Sequence, residues 1–176
     1  QAARSLRVGP GLDPQTEIGP LISQRQRERV MGYIDSGVAE GASILAGGQV
    51  LPGQGYFIEP TVMVNTRTDM RMVKEEIFGP VLSTFRFGDG DDVDALAALG
   101  NDTPYGLSAV VWTRDISRAH RLAHRIQAGS VRVNAAVALD PAMPFGGYKQ
   151  SGWGRENGRE CVEAYTELKS VAIDLN

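Results

Sequence analysis

Residues 80–134, PVLSTFRFGDGDDVDALAALGNDTPYGLSAVVWTRDISRAHRLAHRIQAGSVRVN, decide the fold class. Val81, Ser83, Phe85 and Phe87 alternate with Leu82, Thr84 and Arg86, the period-two pattern of a strand. Asp91 or Asp92 then caps a helix that carries Val93, Leu96 and Ala97, and Gly100-Asn101 ends it. A second strand runs from Leu107 to Thr113. Asp115 follows as an N-cap, and Ile116, Ala119, Leu122, Ala123 and Ile126 share one face of the next helix, closed by Gly129. A third strand spans Ser130 to Asn134. Strands alternating with helices through short connections imply parallel pairing by right-handed crossovers. The expectation is an α/β fold, a parallel sheet covered by helices.

Downstream, residues 135–154 lose this regularity and carry Pro141, Pro144, Gly146, Gly147, Gly152 and Gly154. Irregular backbone just past the carboxyl end of a parallel strand is where open α/β sheets bind ligands. A helix is expected over about Glu156–Tyr165. A terminal strand follows in which Val171, Ile173 and Leu175 alternate with Ala172 and Asp174, and it must pair with its own sheet or with another subunit. Upstream, Ser23-x-x-Gln26 has the form of a capping box before Val30, Ile34 and Val38, with Gly41 as the stop. A short apolar run at Ile44–Ala46 ends in Gly47-Gly48, and Pro60 interrupts a strand-like Tyr56–Val64. The chain opens at Gln1 in what reads as the tail of a helix, so a fragment of a longer protein is expected.

With 176 residues the chain matches one domain, and folding at that length buries roughly 70% of the unfolded surface. Its 42% hydrophobic and 22% charged residues, with 21 Gly and 9 Pro, are those of a turn-rich globular protein. A net charge of −3 with scattered Arg argues against a nucleic-acid partner. The longest purely apolar stretch, residues 135–139, is too short to span a bilayer. One cysteine, Cys161, cannot form an internal disulfide, which favours a reducing compartment and a cytoplasmic protein.

The chemical candidates are few. Glu75-Glu76 precede Ile77-Phe78-Gly79-Pro80; a carboxylate there can accept two hydrogen bonds from a ribose diol, and Phe78 offers a flat face to a planar ring. The same residues also fit a solvated acidic pair beside a buried Phe. The run from Pro144 to Glu156 can be read as a phosphate cradle with Lys149 as counter-charge. It matches neither usual glycine-rich spacing, and tight turns that let backbone pass close by are the better reading of Gly146-Gly147. His120 and His124 have helical metal-pair spacing but lie off the apolar face, with no third ligand in sight. Cys161 reads as a packing residue, and no G-x-S-x-G elbow occurs.

Several separated strings carry a resemblance. VKEEIFGPV at Val73–Val81, NDTPYGLSAVVWTRD at Asn101–Asp115 and PFGGYKQSGWGRENG at Pro144–Gly158 resemble the aldehyde dehydrogenase superfamily in order and separation. VGPGLDPQTEIGPLIS at Val8–Ser23, GYFIEPTV at Gly55–Val62, AGSVRVN at Ala128–Asn134 and AYTELKSV at Ala164–Val171 are similar too, so the likeness covers essentially the whole chain. In that family a cysteine thiolate attacks the aldehyde, hydride passes to NAD or NADP, and a glutamate-activated water releases the carboxylic acid. By resemblance the nucleophile, general base and dinucleotide-binding domain lie N-terminal to Gln1, and Cys161 inherits no role. The resemblance implies that Glu76 holds the nicotinamide ribose, Phe78 contacts the nicotinamide, Leu139 and Phe145 line the aldehyde tunnel, and Asn134 keeps the site in order. It also implies a partial catalytic domain over 1–166 and a C-terminal oligomerisation strand over 167–176.

Three functions follow as expectations. The first is that the chain supplies part of an aldehyde-oxidising enzyme and is inactive alone. Apolar Ala138, Leu139, Met143 and Phe145, in a stretch similar to that of phenylacetaldehyde-type dehydrogenases, favour an apolar aldehyde. A second is an assembly module forming homo-oligomers, and a third is a stand-alone small-molecule binder.

Overall fold

The structure, a computed structural model of the chain, describes residues 1–88, 90, 92–135 and 140–176. Two compact units follow one another, Gln1–Gly88 and Asp89–Asn176.

The first unit contains α1 (Ala2–Ser5), α2 (Gln24–Ala39), β1 (Ser43–Ala46), β2 (Thr61–Val64), α3 (Arg71–Lys74) and β3 (Val81–Ser83). Val30, Tyr33, Ile34 and Gly37 recur at three- and four-residue steps, so α2 buries one face. That face joins Ala42, Ile58, Met63, Met70, Met72 and Ile77 in a single core. Burying a side chain such as Ile34 or Met63 contributes about 1.5–3 kcal/mol. Ser23 caps α2, accepting the Gln26 N–H over 3.2 Å. β2 pairs antiparallel with β1, through an irregularity between Ile44 and Ala46, and parallel with β3 from Thr61↔Val81 to Met63↔Ser83. Gly47, at φ +70°, lies against the Pro60 carbonyl where no Cβ fits.

The second unit contains α4 (Val93–Asn101), β4 (Tyr105–Gly106), β5 (Ser108–Val111), α5 (Ile116–Arg125), β6 (Ser130–Val133), β7 (Tyr148–Lys149) and α6 (Glu160–Glu163). The Asp115 carboxylate caps α5 by accepting the Arg118 N–H over 3.1 Å, as its position predicts. β5 and β6 pair in parallel from Ser108↔Ser130 to Val111↔Val133, with α5 as their connection. Val93, Ala97, Val111 and Leu122 form the core, and Leu96, Ile126 and Val131 pack on it. Ion pairs Arg125–Asp94 and Arg121–Asp92 link the solvent sides of α4 and α5.

The structure departs from the sequence expectations at several elements. One parallel sheet was expected, but among the described residues the strands group as β1-β2-β3, β4-β7 and β5-β6, with parallel and antiparallel pairs mixed. The strand from Val81 stops at Ser83, although the Thr84 N–H still donates to the Met63 carbonyl over 3.0 Å, and two hydroxyls join the bonding there. Thr84 Oγ1 donates to the Met63 carbonyl over 2.8 Å, and Thr66 Oγ1 donates to the Thr84 carbonyl over 2.7 Å. The helix expected from Glu156 is confined to Glu160–Glu163, since Asn157 and Gly158 both adopt left-handed backbone (φ 60° and 62°). Residues 167–176, expected as a strand, form no ladder within the described residues. No helix of the described residues is long and apolar enough to cross a membrane.

Candidate functional site

In the first unit, residues 75–80 connect α3 to β3 and lie along one side of α2. Gln26, Arg29 and Tyr33 stand at three- and four-residue steps on that helix, and each reaches this connection. Gln26 Nε2 donates to the carbonyls of Ile77 (3.1 Å) and Phe78 (2.9 Å), and an Arg29 guanidinium nitrogen donates to the Glu76 carbonyl (3.3 Å). Gly79 passes so close to the helix that an added Cβ would stand 2.6 Å from Val30 Cγ2. Three successive carbonyls and the chain path are therefore held by one helix face.

The two adjacent glutamates have different fates. Glu75 accepts the Tyr33 hydroxyl over 2.6 Å and Arg71 Nε over 3.2 Å. Two guanidinium groups approach the Tyr33 ring, 1% exposed: Arg71 stands 4.4 Å from its centroid, and Arg29, at 5.4 Å, donates to its hydroxyl over 3.1 Å. The Tyr33 hydrogen bond, and after it the Arg71 hydrogen bond and charge, hold the Glu75 carboxyl below the ordinary carboxylate range, against a partial desolvation that acts upward. The same contact raises the Arg71 guanidinium. Glu76 is exposed, and among the described residues no group donates to its carboxylate. Ile77 turns back into the core at 8% exposure. Phe78 sits in left-handed backbone (φ 55°) and is 75% exposed, on the rim of an open apolar hollow lined by Ile18, Pro20, Leu21, Ile22 and Pro80. Of the alternative, a solvated acidic pair beside a buried Phe, the first half holds, since Glu75 and Glu76 are both exposed, but the Phe78 ring is out rather than buried.

In the second unit, Asn134 follows β6 in left-handed backbone (φ 55°) and its amide bonds both ways to the Thr113 backbone. Phe145, half-buried, opens the glycine-rich loop and forms an antiparallel bridge with Glu156, each N–H donating to the other's carbonyl over 2.7 Å. Leu139, like Ala138, lies outside the described residues. Lys149 is not a free counter-charge: its ammonium donates to the carbonyls of Asn101 (2.8 Å) and Thr103 (3.1 Å), tying the two motifs that β4 and β7 pair. Gly146 and Gly147 run against Gly154, Arg155 and Ser151, which matches the tight-turn reading. His120 and His124 are exposed on α5, and among the described residues no three His, Cys, Asp or Glu side chains are placed to hold a metal ion. The Cys161 thiol is half-buried and donates to the Gly158 carbonyl over 3.2 Å.

Glu76 and Phe78 thus share one loop of the first unit, while Asn134 and Phe145 belong to the second. Sequence reasoning missed the helix residues that hold the loop. Gln26 was read as half of a capping box, yet its amide serves the loop instead. The signal was present in the polar stripe Gln26, Arg29 and Tyr33 beside the buried Val30 and Ile34.

Comparison with known proteins agrees with the motif order. A family model described as the aldehyde dehydrogenase family matches residues 1–171. Betaine aldehyde dehydrogenase of Brucella anthropi is 46% identical, over 99% of this chain and 36% of that protein. Among solved structures, an NAD+ complex of aldehyde dehydrogenase from Bacillus cereus superposes with a TM-score of 0.92 at 43% identity, over 99% of this chain and 35% of that one. Betaine aldehyde dehydrogenase of Staphylococcus aureus in complex with NAD+ gives 0.86 at 40%, over 93% and 33%. The chain belongs to the aldehyde dehydrogenase family. It spans about a third of the length of these relatives.

Proposed function

We propose that this chain forms the C-terminal portion of the catalytic domain of a cytoplasmic aldehyde dehydrogenase that uses NAD or NADP. In this reading Glu76 holds the hydroxyls of the nicotinamide ribose and Phe78 contacts the nicotinamide. Leu139 and Phe145 line the aldehyde tunnel, and Asn134 keeps the site in order. The observation that carries it is the division of labour between the two glutamates: Glu75 is bound by Tyr33 and Arg71, whereas the exposed Glu76 carboxylate receives no donor from the described residues. A carboxylate to which no described residue donates, two residues from an exposed aromatic face, fits a sugar diol joined to a planar ring.

A bound nicotinamide would supply the hydride acceptor for aldehyde oxidation. The chain's own residues act by position. Glu76 would accept two O–H hydrogen bonds from the ribose and so hold the nicotinamide in place. Phe78 would cover the ring from water, and in the second unit apolar Met143 and Phe145 would receive the aldehyde's side chain. Orientation of this kind lowers the barrier by holding reacting atoms within reach. The nucleophile belongs to another part of the enzyme, because Cys161 does not match that position in the family.

The test is aldehyde-dependent reduction of NAD+ by the full-length enzyme, with phenylacetaldehyde, betaine aldehyde and a phosphorylated aldehyde compared. The expected order of kcat/KM places the apolar aldehyde first, and the 176-residue chain alone gives no NADH. Activity of the chain by itself, or a preference for the phosphorylated substrate, contradicts the reading.

A second role is favoured by the C-terminal segment. Leu168, Val171, Ile173 and Leu175 are all strongly exposed, and the last three alternate as in a strand awaiting a partner. We infer that residues 167–176 add to a sheet of a second copy and so build a homo-oligomer.

A further inference from the structure

Glu75 touches nothing that reacts in the proposed function, yet it is the better-held carboxylate of the pair. Its partner Tyr33 is an almost fully buried side chain whose hydroxyl points out of the core toward the loop. A buried Tyr hydroxyl needs a hydrogen-bond partner, and here the partner is the residue immediately before Glu76. Glu75 and Ile77 both face α2, the first through Tyr33 and the second through the core shared with Val30 and Tyr33. Glu76 and Phe78 are exposed without such a tie to α2 through their side chains, whereas Glu75, itself half-exposed, is tied to it. Arg29 and Gln26 fix the carbonyls of residues 76–78 from the same helix face, so the backbone cannot rotate to exchange the two glutamates without breaking several bonds at once.

We propose that Tyr33 is a positioning residue for the cofactor site: by holding the Glu75 carboxylate against α2 through its hydroxyl, it sets the direction in which the Glu76 carboxylate projects. The proposal rests on the assignment of Glu76 to the nicotinamide ribose. Tyr33 makes no contact with cofactor or aldehyde in this account; it acts through two neighbouring residues of one strand-like segment. Arg71 shares the task by holding the second side of Glu75 and by stacking on the Tyr33 ring.

Tyr33→Phe in the full-length enzyme removes the hydroxyl and leaves the packed ring in place, so folding is preserved. The expected result is a rise in KM for NAD+ and a fall in kcat, each about three- to tenfold, the size of one lost hydrogen bond, with KM for the aldehyde unchanged. Glu75→Gln, which keeps an acceptor for Tyr33 but weakens it, falls between wild type and Tyr33→Phe. In a Glu76→Gln background Tyr33→Phe adds no further loss, because the residue acts only through Glu76. Wild-type kinetics in Tyr33→Phe while Glu76→Gln is impaired overturns the positioning role alone. Additive losses in the double variant overturn it as well, since they mean that Tyr33 acts through stability. Wild-type kinetics in Glu76→Gln overturns the ribose assignment itself and the positioning role with it.

Discussion

Asn134 and Thr113 exchange two hydrogen bonds through a single side chain: the Thr113 N–H donates to Asn134 Oδ1 over 2.9 Å, and Asn134 Nδ2 donates to the Thr113 carbonyl over 2.8 Å. The amide of Asn134 thereby extends the β5–β6 pairing beyond its last rung, Val111↔Val133, at the point where its own backbone turns left-handed and leaves the strand. Asn tolerates that conformation better than other residues with a Cβ, and its side chain imitates a peptide group.

Replacing Asn134 by Ala removes both bonds and keeps the unfavourable backbone. The expected loss is about 1–3 kcal/mol in urea unfolding. Asn134→Asp retains the acceptor and loses the donor, and falls between. A change within about 0.5 kcal/mol for Ala, the range of ordinary surface substitutions, would show that the exchange does not hold the strand ends.

The Tyr33–Glu75 contact makes a pH prediction. Because the folded carboxyl titrates below its unfolded value, its stabilisation is fully present above the ordinary carboxylate range and is lost as pH falls through the lowered folded value. Stability measured by denaturant titration should therefore decline on acidification in that window. Tyr33→Phe should flatten the decline, since the largest cause of the shift is gone. An identical pH profile in the variant argues against the contact as its source.

The β5-α5-β6 unit was legible in the sequence because its signals agree: alternating strands, an Asp115 cap and a single apolar helix face all specify the same local structure. Elements failed where side chains competed with backbone. The Thr66 hydroxyl occupies the Thr84 carbonyl where β3 ends, and consecutive left-handed Asn157 and Gly158 shortened the last helix. The single sheet was wrong because β3 finds its parallel partner in β2 of its own unit, which local periodicity cannot indicate. At the site, composition singled out the acidic pair but gave no means of telling Glu75 from Glu76. That distinction depends on Tyr33, 42 residues away in sequence.

Glycine substitutions of opposite sign test the packing of the second unit. Gly129 faces the Gly146 carbonyl so closely that no Cβ fits between them, and Gly129→Ala should cost about 1–3 kcal/mol or more by pushing the glycine-rich loop away. Gly100, inside α4 with nothing within 4 Å of a built Cβ, should gain about 0.5–1 kcal/mol as Ala. Thermal melts of both variants decide the matter. A Gly129→Ala protein as stable as wild type would mean that the loop is not seated against Gly129.

Charge placed on the C-terminal segment tests assembly. Val171→Lys with Ile173→Lys should lower the mass of the full-length enzyme in light scattering to that of smaller species, without changing the fold seen by circular dichroism. An unchanged mass would place the subunit contact elsewhere.

Single-turnover NADH formation in Glu76→Gln decides whether Glu76 fixes the nicotinamide ribose. Exchanging a carboxylate that takes two hydrogen bonds for a neutral amide should weaken the interaction by about 1.5–3 kcal/mol, seen as a roughly 10- to 100-fold slower hydride step, with weaker NAD+ binding. A variant that forms NADH at the wild-type rate and binds NAD+ with wild-type affinity would contradict the account.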